Sequence, residues 1–304
     1  MAVNLAVVGL NRIGYSIGLA LKNRNAEIQS VGTDLDRRTI AQNNLPEAFD
    51  KLESNLIDAV RLADVVLISL PFDHIQEAFK TIGPVLKKEA ILIYFSWLPG
   101  LVSDLARQIL PDHVFFIAMT PSLNPHYLED SDQTTPHADL FANSQIFISH
   151  APRIPETIIR FTTDLTSFLG ATPYFADLAE VDGFQSISFH LSHIASAAVM
   201  LSAISEPGWR DARNLAGKEF ADSTRAITSL IDDNKSGFSW IQNHDNSLRM
   251  IVDLQNSLQE IKVKIENQDE KGLQEILQNL QTERNSWIHQ RHALEKEKKT
   301  NASK

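Results

Sequence analysis

The sequence predicts an α/β fold, a doubly wound parallel sheet in the N-terminal half followed by an all-α C-terminal region. Two observations predict it. Apolar runs of strand length alternate with helical patterns up to about residue 155, and from about Glu156 onward the pattern is almost wholly helical.

Taken in order, residues 5–8 form a short apolar run ended by Gly9, and residues 13–21 carry apolar side chains at helical spacing until Lys22-Asn23-Arg24-Asn25 breaks the pattern. Residues 28–33 read as a second strand, 36–44 as a short helix, 63–70 as a buried strand and 91–95 as another. Residues 114–118 and 146–149 add two more strands. A sheet of this kind opens its ligand crevice at the carboxyl ends of its strands. Gly9, Asp34, the 69–71 segment with Ser69 and Pro71, residues 95–99 and Thr120-Pro121 are therefore expected to line one cleft.

The proline-bearing stretch 151–155 marks the expected domain boundary, giving a first domain over 1–155, a helical domain over 156–295 and a frayed polar tail over 296–304. Within the second, 172–175 reads as one short strand. Residues 181–204 form one long helix whose Ala195-Ser196-Ala197-Ala198 lets another backbone approach closely, and 237–288 form amphipathic helices. Their apolar stripes suit an internal core or a homodimer interface.

A chain of 304 residues accommodates two domains, and 43% hydrophobic with 22% charged residues is ordinary for a globular protein. A net charge of −10, with basic residues clustered only near the end, argues against a nucleic-acid surface. No cysteine is present, which excludes disulfides, thiolate nucleophiles and zinc-thiolate sites. The N-terminus lacks a signal-peptide pattern, and no window reads as a membrane span, so a cytoplasmic protein is expected.

The most informative stretch is the turn Gly9-x-Asn11-x-x-Gly14, a Rossmann-type dinucleotide fingerprint with its middle glycine replaced. Gly9 supplies the tight bend and Gly14 the close helix–strand packing. Asn11 tolerates left-handed backbone angles, so the turn survives if its side chain points away from the phosphates. The helix N-terminus at Arg12 and Ile13 presents amides to an anion. Asp34, 20 residues after Gly14, stands where a carboxylate binds the ribose 2′-hydroxyl of NAD. Arg37 and Arg38 keep NADP open. A turn that no longer binds a dinucleotide is the competing reading.

His190 and His193, at i and i+3, share a helix face, but no carboxylate completes a metal set, so no metal is expected. Arg225 is by default a surface arginine and alternatively a carboxylate clamp. His126 and His137 sit in the loop after Thr120-Pro121 and read as exposed. No Gly-x-Ser-x-Gly elbow or Ser-His-Asp order points to a hydrolase.

Across residues 3–290 this order of motifs resembles the prephenate and arogenate dehydrogenase family. The resemblance rests on Gly9 to Gly14 with Tyr15-Ser16, on Ala63-Asp64-Val65-Val66-Leu67-Ile68-Ser69-Leu70-Pro71, and on Asp139-Leu140-Phe141. Most specific are Phe189-His190-Leu191-Ser192-His193, similar to the family's Ser-His-Leu-Pro-His, and Asp222-Ser223-Thr224-Arg225, similar to its Asp-x-Thr-Arg. The resemblance implies NAD, a small carboxylate substrate held by Arg225, a substrate-orienting His193, and a homodimer through the helical domain.

Three departures face the expected cleft. The family's catalytic His-Pro appears as Thr120-Pro121, its Asp-x-x-Ser-x-Lys element as Tyr94-Phe95-Ser96-Trp97-Leu98-Pro99, and its His-Asp as Val181-Asp182. A general base contributes about 10² to 10⁴-fold, which threonine does not supply. Either His126, His190 or His193 takes the proton, or the substrate is another hydroxy- or amino acid, or the chain binds cofactor without catalysis.

Overall fold

The computed structural model describes residues 3–24, 28–36, 38–39, 48–95, 97–130, 132, 134–228 and 236–301. Arg37, Ser96 and most of the helix expected over 36–44 lie outside them. The contacts divide the chain into a first unit, Met1–Val181 with Ser286–Lys304, and a second, Asp182–Asn285.

The first unit is built on one eight-stranded sheet in the order β3-β2-β1-β4-β5-β6-β7-β8. Its strands are β1 (Val3–Val8), β2 (Ile28–Thr33), β3 (Lys51–Leu52), β4 (Val65–Ile68), β5 (Ile91–Phe95), β6 (Phe115–Pro121), β7 (Gln145–His150) and β8 (Thr172–Phe175). Helices α1 (Arg12–Asn23), α2 (Leu56–Val60), α3 (Phe72–Ile82), α4 (Pro99–Ile109) and α5 (Glu156–Phe168) connect them.

Period-two alternation sorts the strand residues onto two cores. Leu5, Val7, Val65, Leu67, Ile93 and Phe95 join one core with α1 and α5, while Ala6, Val8, Val66, Ile68, Leu92 and Tyr94 join the other with α2, α3 and α4. Both faces of the central strands are thus covered, which is why those strands read as unbroken apolar runs.

Two expectations about the sheet are corrected. It is not parallel throughout, because β7 runs antiparallel to β6. Nor does it end at residue 155: β8 pairs with β7 from Gln145↔Thr172 to Ile148↔Phe175, so the boundary expected at 155/156 falls inside the first unit. That edge strand is largely exposed and carries little apolar signal of its own.

In the second unit the expected long helix is α6 (Leu178–Gln185), a π-helical turn (Ser186–His190) and α7 (Leu191–Ser205) in succession. There follow α8 (Trp209–Ala212), α9 (Lys218–Thr224), α10 (Ser236–Gln242), α11 (His244–Glu266) and α12 (Glu270–Asn301). The helix therefore continues through residues 296–301, where a frayed tail was expected. Contrary to the expectation that no window suits a bilayer, the run Leu178–Ser205 is long and apolar enough to cross one by length and composition. Much of its apolar surface is uncovered within the single chain, including Phe184, Ile187, Leu201 and Ile204.

Phe141 is wholly buried and meets Phe95 edge to face at 5.3 Å between ring centroids. Phe141→Ala is expected to destabilise the first unit by about 3–5 kcal/mol, read from denaturant unfolding followed by fluorescence.

Candidate active site

The glycine turn is shaped by backbone crowding. Gly9 has a φ of +97°, and a Cβ placed there would lie 2.1 Å from the Ser69 carbonyl oxygen. A Cβ at Gly14 would lie 1.9 Å from the Gly9 carbonyl oxygen, so both positions exclude any side chain.

Asn11 needs no such freedom. Its backbone is extended (φ −68°, ψ −179°), not left-handed, so the conformational tolerance expected to explain it is not used. Its Oδ1 accepts from the Gly14 amide at 3.0 Å, capping α1, and from the Ser69 hydroxyl at 3.1 Å. Its Nδ2 donates to the Ser69 carbonyl at 2.9 Å. The carboxamide thus turns inward toward β4, where it caps the first turn of α1.

Asp34, at the end of β2, closes the turn from the other side. Its Oδ2 accepts from the Leu10 amide at 2.7 Å and its Oδ1 from the Asp36 amide at 2.9 Å. A carboxylate offers about four acceptor sites, so two remain for ribose hydroxyls. Arg38 is engaged by Asp36 at 3.0 Å. The crowded glycines and the half-satisfied carboxylate fit a dinucleotide with an unphosphorylated ribose.

Pairings Val8↔Ile68, Ile68↔Tyr94 and Phe95↔Met119 set the carboxyl ends of β1, β4, β5 and β6 abreast. Ser69 and Pro71 leave the end of β4, Pro71 leading into α3, and Thr120-Pro121 ends β6 with Thr120 buried.

The loop after β6 contains a cluster that sequence reasoning missed. Tyr127 stacks on His137 at 4.4 Å, lies under the Arg12 guanidinium at 5.7 Å, and donates to Asp139 Oδ1 at 2.6 Å. Burial, then the Asp139 bond, pushes the Tyr127 phenol up to about 12. Arg12 Nε donates to the Thr135 carbonyl at 3.0 Å, and the His137 amide donates to Ser16 Oγ at 2.9 Å. The loop is thereby pinned onto the first turns of α1. His126 is exposed and packs edge-on against Tyr127, outside the cluster's hydrogen bonds.

In the second unit His190 and His193 are both buried. His193 Nδ1 donates to the Phe189 carbonyl at 2.7 Å, which leaves the ring's lone pair on Nε2. Burial holds its pKa below the ordinary histidine value, against the pull of that carbonyl. Asn243 Nδ2 faces His190 Nδ1 at 3.3 Å, and burial, then the charge of His193, pushes His190 down to about 4. Among the described residues no group of three metal-ligating side chains forms, around this pair or elsewhere. Arg225 follows α9, which Ser196 ties to α7 by donating to the Ser223 carbonyl at 2.7 Å. The Arg225 guanidinium is paired with Asp222, whose carboxyl is held below its usual range chiefly by Lys218.

A mostly parallel sheet with a glycine turn closed by an acidic strand end, in one chain with a helical unit that buries two histidines, defines a nucleotide-dependent dehydrogenase of two parts. Residues 17–143 match the nucleotide-binding domain of prephenate dehydrogenase and residues 179–279 match its dimerization domain. The chain belongs to the prephenate dehydrogenase family and is an NAD-dependent dehydrogenase.

It is 23% identical over 282 residues to a prephenate dehydrogenase of Bacillus subtilis, spanning 90% of this chain and 73% of that one. The fold is shared with prephenate dehydrogenase of A. aeolicus, solved with hydroxyphenyl propionate and NAD+, at TM-score 0.78 and 17% identity, covering 94% and 98% of the two chains. It is shared with Synechocystis arogenate dehydrogenase at TM-score 0.73 and 21% identity, covering 93% and 99%.

Two outcomes follow. Asn11→Ala is expected to cost about 0.5–2 kcal/mol through loss of the cap, and Asn11→Gly less of that capping energy, read from thermal unfolding. His190, ordinarily near 6.5, titrates near 4 in the folded chain, so below pH 6.5 unfolding takes up a proton. Stability is expected to fall from pH 6.5 toward 4, by up to roughly 3 kcal/mol from this residue. Denaturation midpoints of wild type and His190→Gln across that range check it, the variant giving the flatter curve.

Proposed function

We propose that the chain catalyses NAD-dependent oxidative decarboxylation of prephenate or arogenate. The carrying observation is the fixed tautomer of His193, whose Nδ1–H is committed to Phe189 and whose neutral ring keeps a lone pair on Nε2. That is the state a proton acceptor needs. NAD accepts the hydride when bound. The substrate hydroxyl gives its proton to His193 Nε2, and departure of the ring carboxylate as carbon dioxide restores aromaticity. Support comes from relatives named for both substrates and from the A. aeolicus structure, which contains NAD+ and a phenolic carboxylate.

Arg225 holds a substrate carboxylate by exchanging Asp222 for it, and Asp34 with the Gly9 to Gly14 turn holds the cofactor. The working form is a homodimer through the helical unit. In that unit, among the described residues, the buried large apolar side chains are few, Ile194 and Met250, while Phe184, Ile187, Val199, Leu201 and Ile204 stand exposed. The buried threonine at 120 favours a second reading, a different hydroxy- or amino-acid substrate for the same hydride transfer.

Purified protein is expected to reduce NAD, seen at 340 nm, with prephenate or arogenate. His193→Gln should lower kcat by about 10² to 10⁴-fold. Silence with both substrates beside an active control enzyme rejects the proposed reaction, and a screen of hydroxy acids at fixed NAD then tests the second.

A further inference from the structure

Arg291 has no role in the reading above, yet its surroundings are unusual. It lies on the part of α12 that packs with the first unit. Its Nη1 donates to Ser122 Oγ and its Nη2 to the Leu123 carbonyl, each at 2.6 Å. Those two acceptors directly follow Thr120-Pro121 at the carboxyl end of β6.

Four arginines of this unit are exposed and paired with a carboxylate, Arg38 with Asp36, Arg61 with Asp58, Arg107 with Asp104 and Arg160 with Glu156, while Arg12 and Arg24 donate to the Thr135 and Phe168 carbonyls. Arg291 is half-buried, its Nε is sealed from solvent without a hydrogen-bond partner, and no carboxylate pairs with it among the described residues. In a chain of net charge −10, this guanidinium has no counter-charge among the described residues. An unpaired, partly desolvated cation is unfavourable and stays charged, so it attracts any anion that reaches it. Of its five N–H donors two are used and Nε is inaccessible, which leaves one hydrogen on each Nη.

We propose that Arg291 is an anion-binding residue of the first unit's crevice, taking a substrate carboxylate at the edge of β6 through a remaining Nη hydrogen. The assignment rests on the carboxylate substrate proposed above. Ser122 and Leu123 fix the plane of the guanidinium, so the loop and the bound carboxylate share one cation. The last helix thereby brings to the crevice a charge that Thr120, Trp97 and Pro99 do not carry.

The test is calorimetry on the full chain saturated with NAD, using 3-(4-hydroxyphenyl)propionate and the uncharged 3-(4-hydroxyphenyl)propan-1-ol. Wild type is expected to prefer the carboxylate by about tenfold or more, Arg291→Gln to narrow that preference by about threefold or more, and Arg291→Lys to fall between. NAD affinity serves as the folding control; if Arg291→Gln fails it, Arg291→Lys decides. A structural role alone weakens both ligands alike and leaves their ratio unchanged. That result, or a wild type without carboxylate preference, overturns the assignment. An Arg291-dependent preference in a protein that reduces no NAD with prephenate or arogenate rejects the proposed reaction and upholds the anion site.

Discussion

The first unit depends on a contact between backbones with no side chain between them. Gly9 lies against the Ser69 carbonyl, and Gly14 against the carbonyl of Gly9, at separations no Cβ could occupy. The first strand, the turn, α1 and the exit of β4 are locked together at that point, and both the helix N-terminus and the crevice take their position from it. Asn11 is tolerated because it lies just outside the crowded positions. In extended backbone its carboxamide bonds both Gly14 and Ser69, doing with hydrogen bonds what closer backbone approach would otherwise do.

Much of this frame was legible in the sequence, because central strands covered on both faces must be continuously apolar. Residues 91–95 are such a strand at the expected bounds, and the carboxylate at Asp34 ends β2 where the fingerprint places it. What was not legible depends on distant pairing. Nothing in residues 172–175 tells that they extend the sheet of β7, which moved the boundary beyond 155. The π-helical turn at Ser186–His190 is a shift of backbone hydrogen-bonding that side-chain periodicity does not encode.

The polar part of the site was the least readable for the same reason. Arg12, Tyr127, His137 and Asp139 become one cluster only after β6 and α1 have been set side by side. Arg291 reaches Ser122 across 169 positions of sequence. Residue type marked Asn11 and Thr120 as departures, but only the geometry distinguishes them: one is compensated within its own turn, the other is a buried hydroxyl where the family's motif has an imidazole.

In the proposed reaction the two buried histidines divide that lost role unequally. A like charge one helical turn away suppresses protonation, so a base at His193 works only if His190 does not compete for the proton. Burial beside Asn243 does this by keeping His190 neutral down to about pH 4. His193 meanwhile gains from the Phe189 carbonyl a contact that grows stronger as the ring becomes cationic. The pair is therefore asymmetric by environment though nearly identical in sequence. The asymmetry opposes joint metal ligation less than it favours a single proton acceptor, since two neutral imidazoles with no carboxylate make a weak metal site but leave one lone pair to receive a proton.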